Sequence, residues 1–379
     1  NVAAGHYALR LFTGSNATAV GSGAADAAIG ATNLTAVGFN ALGALTEGLN
    51  CTAVGTYALQ ALVDGDYNVA VGREAGYFTT GSNNTFLGAN AGTYATTTDD
   101  CIAIGKSALG GVTGDRPTGN YNIAVGNYAL DATTAGASNI AIGYAAASNL
   151  TDGLSNIAIG KNALLAANGT TAGGDREDSN IAIGDESLAS ETAGSDGCIA
   201  IGYYALNDQN VAAANNTVVG YKGAENLTSG TDSVYVGYQA GGAGAITSGG
   251  NVVIGKSAAL NATGMITSVF IGKQAGGVGV VDGANNVAIG SAAGAYLTSG
   301  ASNVLIGADA GLNFTEGGDN IAIGHGAMDG SSTSGVSNNV AIGTHALGDT
   351  LTASMYCVAV GHNALAAQTA NVKNTAIGG

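Results

Sequence analysis

The chain has 379 residues, of which 64 are glycine, one is proline and none is tryptophan. Glycine shows no period of three, which excludes a collagen-like triple helix. The net charge of −16 argues against nucleic acid or an anionic membrane as a partner. No apolar run approaches the roughly 18 residues that a membrane helix needs, so we expect no membrane span.

Charged residues make up only 9% of the chain, against about 25% in typical soluble proteins. Apolar residues make up 46%. A monomer of this composition has little charge with which to cover its surface. The composition therefore predicts extensive burial between subunits.

A five-residue motif of the form Asn-(Ile/Val/Thr)-Ala-(Ile/Val)-Gly recurs 22 times, from residues 1–5 to residues 374–378. Its glycine is position 0 of the repeat, and most steps between these glycines are 16 to 18 residues. Gly30 follows a similar phrase but is left out, because omitting it restores a step of 17. A short fixed period is typical of a solenoid. The sequence predicts an all-β fold over residues 1–379: one continuous parallel β-solenoid, or β-roll, of about 22 coils.

Position −4 opens each motif and is Asn in 14 copies. All four cysteines of the chain occupy the same position. An asparagine that recurs at one corner can form hydrogen bonds from coil to coil, and cysteine is a small, buriable substitute. The predicted corner ladder includes Asn68, Asn139, Asn156, Asn180, Asn320, Cys51, Cys101, Cys198 and Cys357.

Positions −3 and −1 are almost always β-branched, so they indicate one face of a short strand. We expect that face to line the inside of the coil. Position −2 then faces outward, yet it is Ala in 16 copies and a larger apolar residue in the other six. A strand that is apolar on both faces is buried on both, which predicts an oligomer interface. Representative interface residues are Ala53, Phe86, Ala141, Val218, Tyr235, Val253, Phe270 and Leu305.

After the glycine comes a segment such as residues 56–59, whose third position is usually Ala. It is predicted to be a second short strand with that Ala facing inward, followed by a Thr/Ser/Gly/Asp turn. Two longer inserts interrupt the array, and each contains an Asp-Arg pair. Inserts in solenoids form loops, often on a binding face, so Asp115, Arg116, Asp175 and Arg176 are candidates for partner contacts.

Phrases such as residues 320–324 (NIAIG), 237–241 (GYQAG) and 339–347 (NVAIGTHAL) resemble the head repeats of trimeric autotransporter adhesins and, more closely, the shaft repeats of phage tail-fibre-domain proteins. The resemblance covers nearly the whole chain. It implies a homotrimer of parallel β-rolls outside the cell or on a virion, involved in attachment. The head repeats of those adhesins are shorter, so the coil here is expected to be wider. No catalytic residue is implied.

Two kinds of side chain leave alternatives open. Histidines at positions +1 and +2 could form metal-binding rings in a trimer or be solvated surface residues. Aromatic residues at the same positions could contact a glycan of a host surface or pack along the roll. The sequence predicts no catalytic residue, no cofactor site and no metal site.

The expected function is that of an extracellular fibre shaft or adhesin rather than an enzyme. The chain would be a segment of a longer fibre protein, rigid and trimeric, that projects or orients attachment to a host surface, through glycan or protein contacts. The alternative is a self-assembling extracellular filament of trimers stacked end to end.

Overall fold

The computed structural model describes residues 1–111, 117–165, 178–190, 196–207, 214–330, 336–348, 356–367 and 373–379. The chain forms two compact units, 1–196 and 197–379. Both units are all-β parallel solenoids with a repeat near 17 residues, as predicted. Among the described residues, each motif forms one strand, and no helix has the length and apolar character to cross a membrane.

The strands of the two units are short and most span three residues. The strands of the first unit are β1 (Val2–Ala4), β2 (Ser15–Val20), β3 (Thr32–Val37), β4 (Thr52–Val54), β5 (Val69–Val71), β6 (Thr85–Leu87), β7 (Ile102–Ile104), β8 (Ile123–Val125), β9 (Ile140–Ile142), β10 (Ile157–Ile159) and β11 (Ile181–Ile183). The strands of the second unit are β12 (Ile199–Ile201), β13 (Thr217–Val219), β14 (Val234–Val236), β15 (Val252–Ile254), β16 (Val269–Ile271), β17 (Val287–Ile289), β18 (Val304–Ile306), β19 (Ile321–Ile323), β20 (Val340–Ile342), β21 (Val358–Val360) and β22 (Thr375–Ile377).

Within each unit, successive strands pair in parallel and keep the same register. Position −2 of one motif pairs with position −2 of the next, as Ala141 does with Ala158. The register survives the longest step between motifs, where Ile157 pairs with Ile181. The sheet thus aligns equivalent positions regardless of the length of the intervening turn. Gly30 lies outside the strands, which confirms that it is not a motif glycine.

The segment after the motif glycine is not the second strand that the sequence predicted. In the described residues it forms turns, because positions +2 and +4 adopt left-handed backbone conformations. In one coil, φ is 60° at Tyr57 and 48° at Leu59. Alternating left-handed residues prevent an extended chain. The segment still stacks on the next coil, since the Leu59 N–H donates to the Ala75 carbonyl over 2.9 Å.

The strand faces are the reverse of the sequence prediction. In strands β2–β21 the residue at position −2 is buried, while positions −3 and −1 are partly or largely exposed. The predicted assignment of −3 and −1 to the inside of the coil is therefore wrong. The interior is filled by position −2 together with Ala at +3 and Leu at +4, such as Ala53, Ala58 and Leu59, each 0% exposed.

Candidate interaction surfaces

All eight residues predicted to form the oligomer interface lie inside the coil. Ala53, Phe86, Ala141, Val218, Tyr235, Val253, Phe270 and Leu305 are each 0% exposed within a single chain. Burial also raises the pKa of Tyr235 to about 12. These side chains have no surface with which to contact a second chain, so their assignment to an interface was wrong.

Large residues at position −2 fit inside because glycine or alanine replaces leucine at position +4. A Cβ atom added at Gly92 would lie 2.4 Å from the Phe86 ring, and one added at Gly276 would lie 2.4 Å from the Phe270 ring. Coils with Ala at −2 usually carry Leu at +4, as Ala53 and Leu59 do. The two positions share one interior space. Their complementary sizes were a signal in the sequence that the position −2 side chain faces inward.

The exterior of the motif strand is a regular apolar face built from positions −3 and −1, which we call the strand face. Val20, Leu87 and Ile142 are 40%, 46% and 40% exposed. Other members that are more than a third exposed are Val2, Val69, Ile102, Ile104, Val219, Ile254, Ile321, Ile342 and Ile377. β-branched and leucine side chains at this spacing cover the outside of the sheet with few polar groups. A contiguous exposed apolar surface is typical of an interaction site.

The corner ladder is a row of hydrogen bonds inside the coil that links most successive motifs. Asn139 Oδ1 accepts from the Asn156 N–H (2.9 Å) and from Asn156 Nδ2 (3.1 Å). The Nδ2 of Asn139 donates to the Gly153 carbonyl of the next coil over 2.8 Å. The same arrangement links Asn180 to Asn156 through the backbone, and Asn320 to Asn303. Each asparagine thereby satisfies buried polar groups in two coils.

Cysteine takes part in the same row. The Cys101 N–H donates to Asn84 Oδ1 over 3.0 Å, and the Asn122 N–H lies 3.4 Å from the Cys101 Sγ. Cys51 Sγ lies 3.3 Å from the Gly65 carbonyl, and Cys198 and Cys357 are also buried. Burial raises the pKa of Cys101 to about 11 and that of Cys51 above its usual value. Thiols in this state are poor nucleophiles, which fits a packing role.

A second polar ladder, two residues before the first, was not predicted. The Leu49 N–H donates to Asp66 Oδ1 (2.7 Å) and the Asp66 N–H to Ser82 Oγ (3.0 Å). The Ser82 N–H donates in turn to Asp99 Oδ1 over 2.7 Å. Recurring Asp, Ser and Asn at position −6 carried this signal in the sequence. Like the corner ladder, this row connects coils and leaves its acceptors engaged within the chain.

An aromatic groove lies on the turn segments of the first unit, lined by Tyr57, Glu74, Tyr77, Phe78, Thr93 and Tyr94, with a volume of about 330 Å³. The rings of Tyr57 and Tyr77 lie 5.8 Å apart at 71°, and those of Tyr77 and Phe78 lie 4.5 Å apart at 69°. Phe78 stacks on Tyr94 at 5.4 Å and 15°. The rings thus form walls that meet at steep angles.

The second unit carries a different aromatic feature, a row of exposed tyrosines. Tyr203, Tyr221 and Tyr238 stack with centroid distances of 5.4 and 5.2 Å and interplanar angles of 16° and 5°. The rings are nearly parallel and stack on one another from coil to coil, without forming a groove. Aromatic residues at positions +1 and +2 therefore pack along the roll, as one of the two sequence alternatives expected.

Two histidines on neighbouring coils approach each other. The rings of His325 and His345 lie 5.3 Å apart, His325 Nε2 lies 3.8 Å from Asp309 Oδ2, and His345 Nδ1 lies 3.4 Å from Asp329 Oδ2. Within the described ranges, no group of three or more His, Cys, Asp or Glu side chains is arranged to hold a metal ion. The four residues predicted to contact partners, Asp115, Arg116, Asp175 and Arg176, lie outside the described residues.

No protein-family model matches this sequence, and no curated protein matches it. The resemblance to fibre and adhesin repeats therefore remains a prediction that rests on the motifs themselves.

Proposed function

We propose that this chain is a non-enzymatic structural segment of an extracellular fibre or adhesin, in which several copies associate through the strand face. The observation that carries the proposal is the exposure of apolar side chains at positions −3 and −1 in coil after coil. A single chain leaves these side chains in water. Pairing with a second copy that has the same coil spacing would bury them along a continuous strip.

A homotrimer is the proposed stoichiometry. Low charge content supports association in general, and the resemblance to trimeric fibre repeats favours three chains. The strand face replaces the interior residues at position −2 as the proposed contact. A charged side chain introduced on the strand face should disrupt this contact, because charged residues are disfavoured at the buried core of an interface.

Sedimentation velocity and electron microscopy test this proposal. The native chain should sediment near three times its mass of 36.4 kDa, or about 109 kDa. The paired substitution Ile104→Lys and Ile142→Lys should yield folded monomer, whereas Thr56→Lys, on an exposed turn, should leave the assembly unchanged. A native chain that remains monomeric at micromolar concentration would refute association. Filaments of indefinite length would favour end-to-end assembly over a discrete shaft.

A further inference from the structure

The aromatic groove of the first unit has a distinctive ring geometry, partial exposure and a volume of about 330 Å³. Tyr57, Tyr77 and Phe78 pack edge to face at steep angles, so together with Glu74, Thr93 and Tyr94 they line an open groove instead of a flat platform. All three rings are partly exposed. The volume of about 330 Å³ lies at the lower end of the range for small-ligand sites. The groove is therefore suited to a compact group.

A carboxylate lies at the same groove. The Glu74 side chain is 29% exposed, and its Oε1 accepts from Arg73 Nη1 over 2.7 Å. The Thr93 hydroxyl donates to the Glu74 backbone carbonyl over 3.0 Å, which links the two coils at the groove. An exposed ion pair of this kind is weak. Glu74 can consequently attract a second cation within the groove.

The ring faces of aromatic side chains are electronegative, and the chain already uses them to hold cations elsewhere. The guanidinium carbon of Arg10 lies 4.7 Å from the centroid of Tyr7, and Lys256 Nζ lies 5.6 Å from that of Tyr238. The net charge of −16 adds a field that favours cationic ligands over anionic ones. Ring faces, carboxylate and net charge all select for positive charge.

We propose that the aromatic groove binds a quaternary ammonium group. The methyl groups would contact the faces of Tyr57, Tyr77 and Phe78, and the diffuse positive charge would be balanced by Glu74. Quaternary ammonium ions suit this environment because they are weakly hydrated and need no hydrogen-bond acceptor. The inference is independent of the proposed fibre function, because every groove residue follows the motif glycine and none lies on the strand face.

A neutral sugar is the main competing ligand, since sugars also bind aromatic side chains. A pyranose needs an open, flat ring face on which to stack, and in the groove Phe78 already stacks on Tyr94 at 15°. The steeply angled walls of the groove favour a roughly spherical cation instead.

Ligand-observed NMR titration of the full chain tests the proposal with tetramethylammonium and choline as probes. Both should bind saturably, with a Kd on the order of 1–10 mM for a few exposed cation–π contacts. The control ligand is 3,3-dimethylbutanol, which has the shape of choline without its charge, and it should bind at least about tenfold more weakly. Equal binding of choline and this neutral isostere would overturn the proposal, as would binding of a methyl pyranoside alone.

Variants locate the site. Glu74→Gln keeps the shape of the groove and should weaken tetramethylammonium binding by about tenfold. Tyr77→Leu should weaken it by at least about fivefold. Tyr221→Leu removes an equivalent exposed ring from the row of the second unit and should have no effect. Unchanged binding in both groove variants, with melting temperatures that show they are folded, would refute the site.

The source of the ammonium group can be separated with the same assay. Arg73 is 59% exposed beside Glu74, so its guanidinium could contact a phosphate attached to choline. If phosphocholine binds more tightly than tetramethylammonium and Arg73→Gln removes the difference, the ligand is a choline phosphate. If the two bind equally, a trimethylated amine without phosphate, such as trimethyllysine, is the natural form.

Discussion

Exchanging the sizes of two interior residues would test the inward orientation of position −2. Phe86 is 0% exposed, and the added Cβ at Gly92 would lie 2.4 Å from its ring. In the following coil the same two positions are Ala103 and Leu109, also 0% exposed. The double substitution Phe86→Ala with Gly92→Leu would give this coil the same pair of residues, Ala at −2 and Leu at +4, as the following coil. Leu109 has a φ of 48°, so leucine is accommodated in the left-handed conformation that Gly92 adopts, with φ of 59°.

The single substitutions should each be costly. Phe86→Ala leaves a cavity and should lower the free energy of unfolding by about 3–5 kcal/mol. Gly92→Leu forces a side chain into the Phe86 ring and should cost about 1–3 kcal/mol or more. The double variant should lose no more than about 2 kcal/mol, since the new leucine occupies the vacated space. Some cost remains because Phe86 also packs against Gly76 of the preceding coil, where an added Cβ would lie 2.7 Å from the ring.

The assay is thermal and urea unfolding of the four proteins of this cycle at one protein concentration, followed by circular dichroism. A loss of about 3 kcal/mol should lower the melting temperature by roughly 6–12 °C for a unit of this size. The double variant should melt above Phe86→Ala. Additive losses, with the double variant the least stable of the four, would refute the shared interior space.

Three further predictions concern single positions. Gly55→Ala should lower the free energy of unfolding by about 2–5 kcal/mol, because φ is +142° and the new Cβ would lie 2.3 Å from a backbone oxygen. The control is Gly30→Ala, whose new Cβ would lie 3.6 Å from its nearest neighbour, and it should melt within about 2 °C of the native chain. Asn139→Ala should destabilise by about 1–3 kcal/mol, because it leaves the buried N–H of Asn156 without an acceptor, whereas Asn139→Ser should retain most of the stability; equal losses would argue against the ladder. Burial raises the pKa of Asp131 to about 6, so ionisation of this carboxyl lowers the stability of the fold as the pH rises from about 4 through 6. Asp131→Asn should therefore be more stable than the native chain at pH 7.5, by about 1 kcal/mol after allowance for partial exposure. The difference in stability should vanish near pH 4.

The repeat period, the strand positions and the corner asparagines could all be derived from the sequence. The parallel register follows from the recurrence of the motif, and the exclusion of Gly30 follows from the step of about 17 residues between most motif glycines. Alternation along a strand shows only that positions −3 and −1 share a face. It does not show which face is inside. The general expectation that β-branched residues are buried led to the incorrect assignment of positions −3 and −1 to the inside of the coil.

The correct orientation depends on a relation between positions that are six residues apart. Ala53 occurs with Leu59, while Phe86 occurs with Gly92, and each large residue at −2 is accompanied by glycine or alanine at +4. Composition at either position alone does not show this. The left-handed backbone at Tyr57 could not be predicted from residue type, because tyrosine and leucine seldom adopt positive φ. Stacking on neighbouring coils stabilises that conformation against its local cost.

The constant register of each sheet has a consequence for how the chain can change over generations. Ile157 pairs with Ile181 across 24 residues with the same alignment that Ile140 and Ile157 adopt across 17. Alignment is therefore set by the motif and is insensitive to the length of the turn. Recombination between any two motifs within a unit would add or remove whole coils and join strands that already match. Gene segments encoding this fold can thus lengthen, shorten or acquire loops without redesign of the remaining coils.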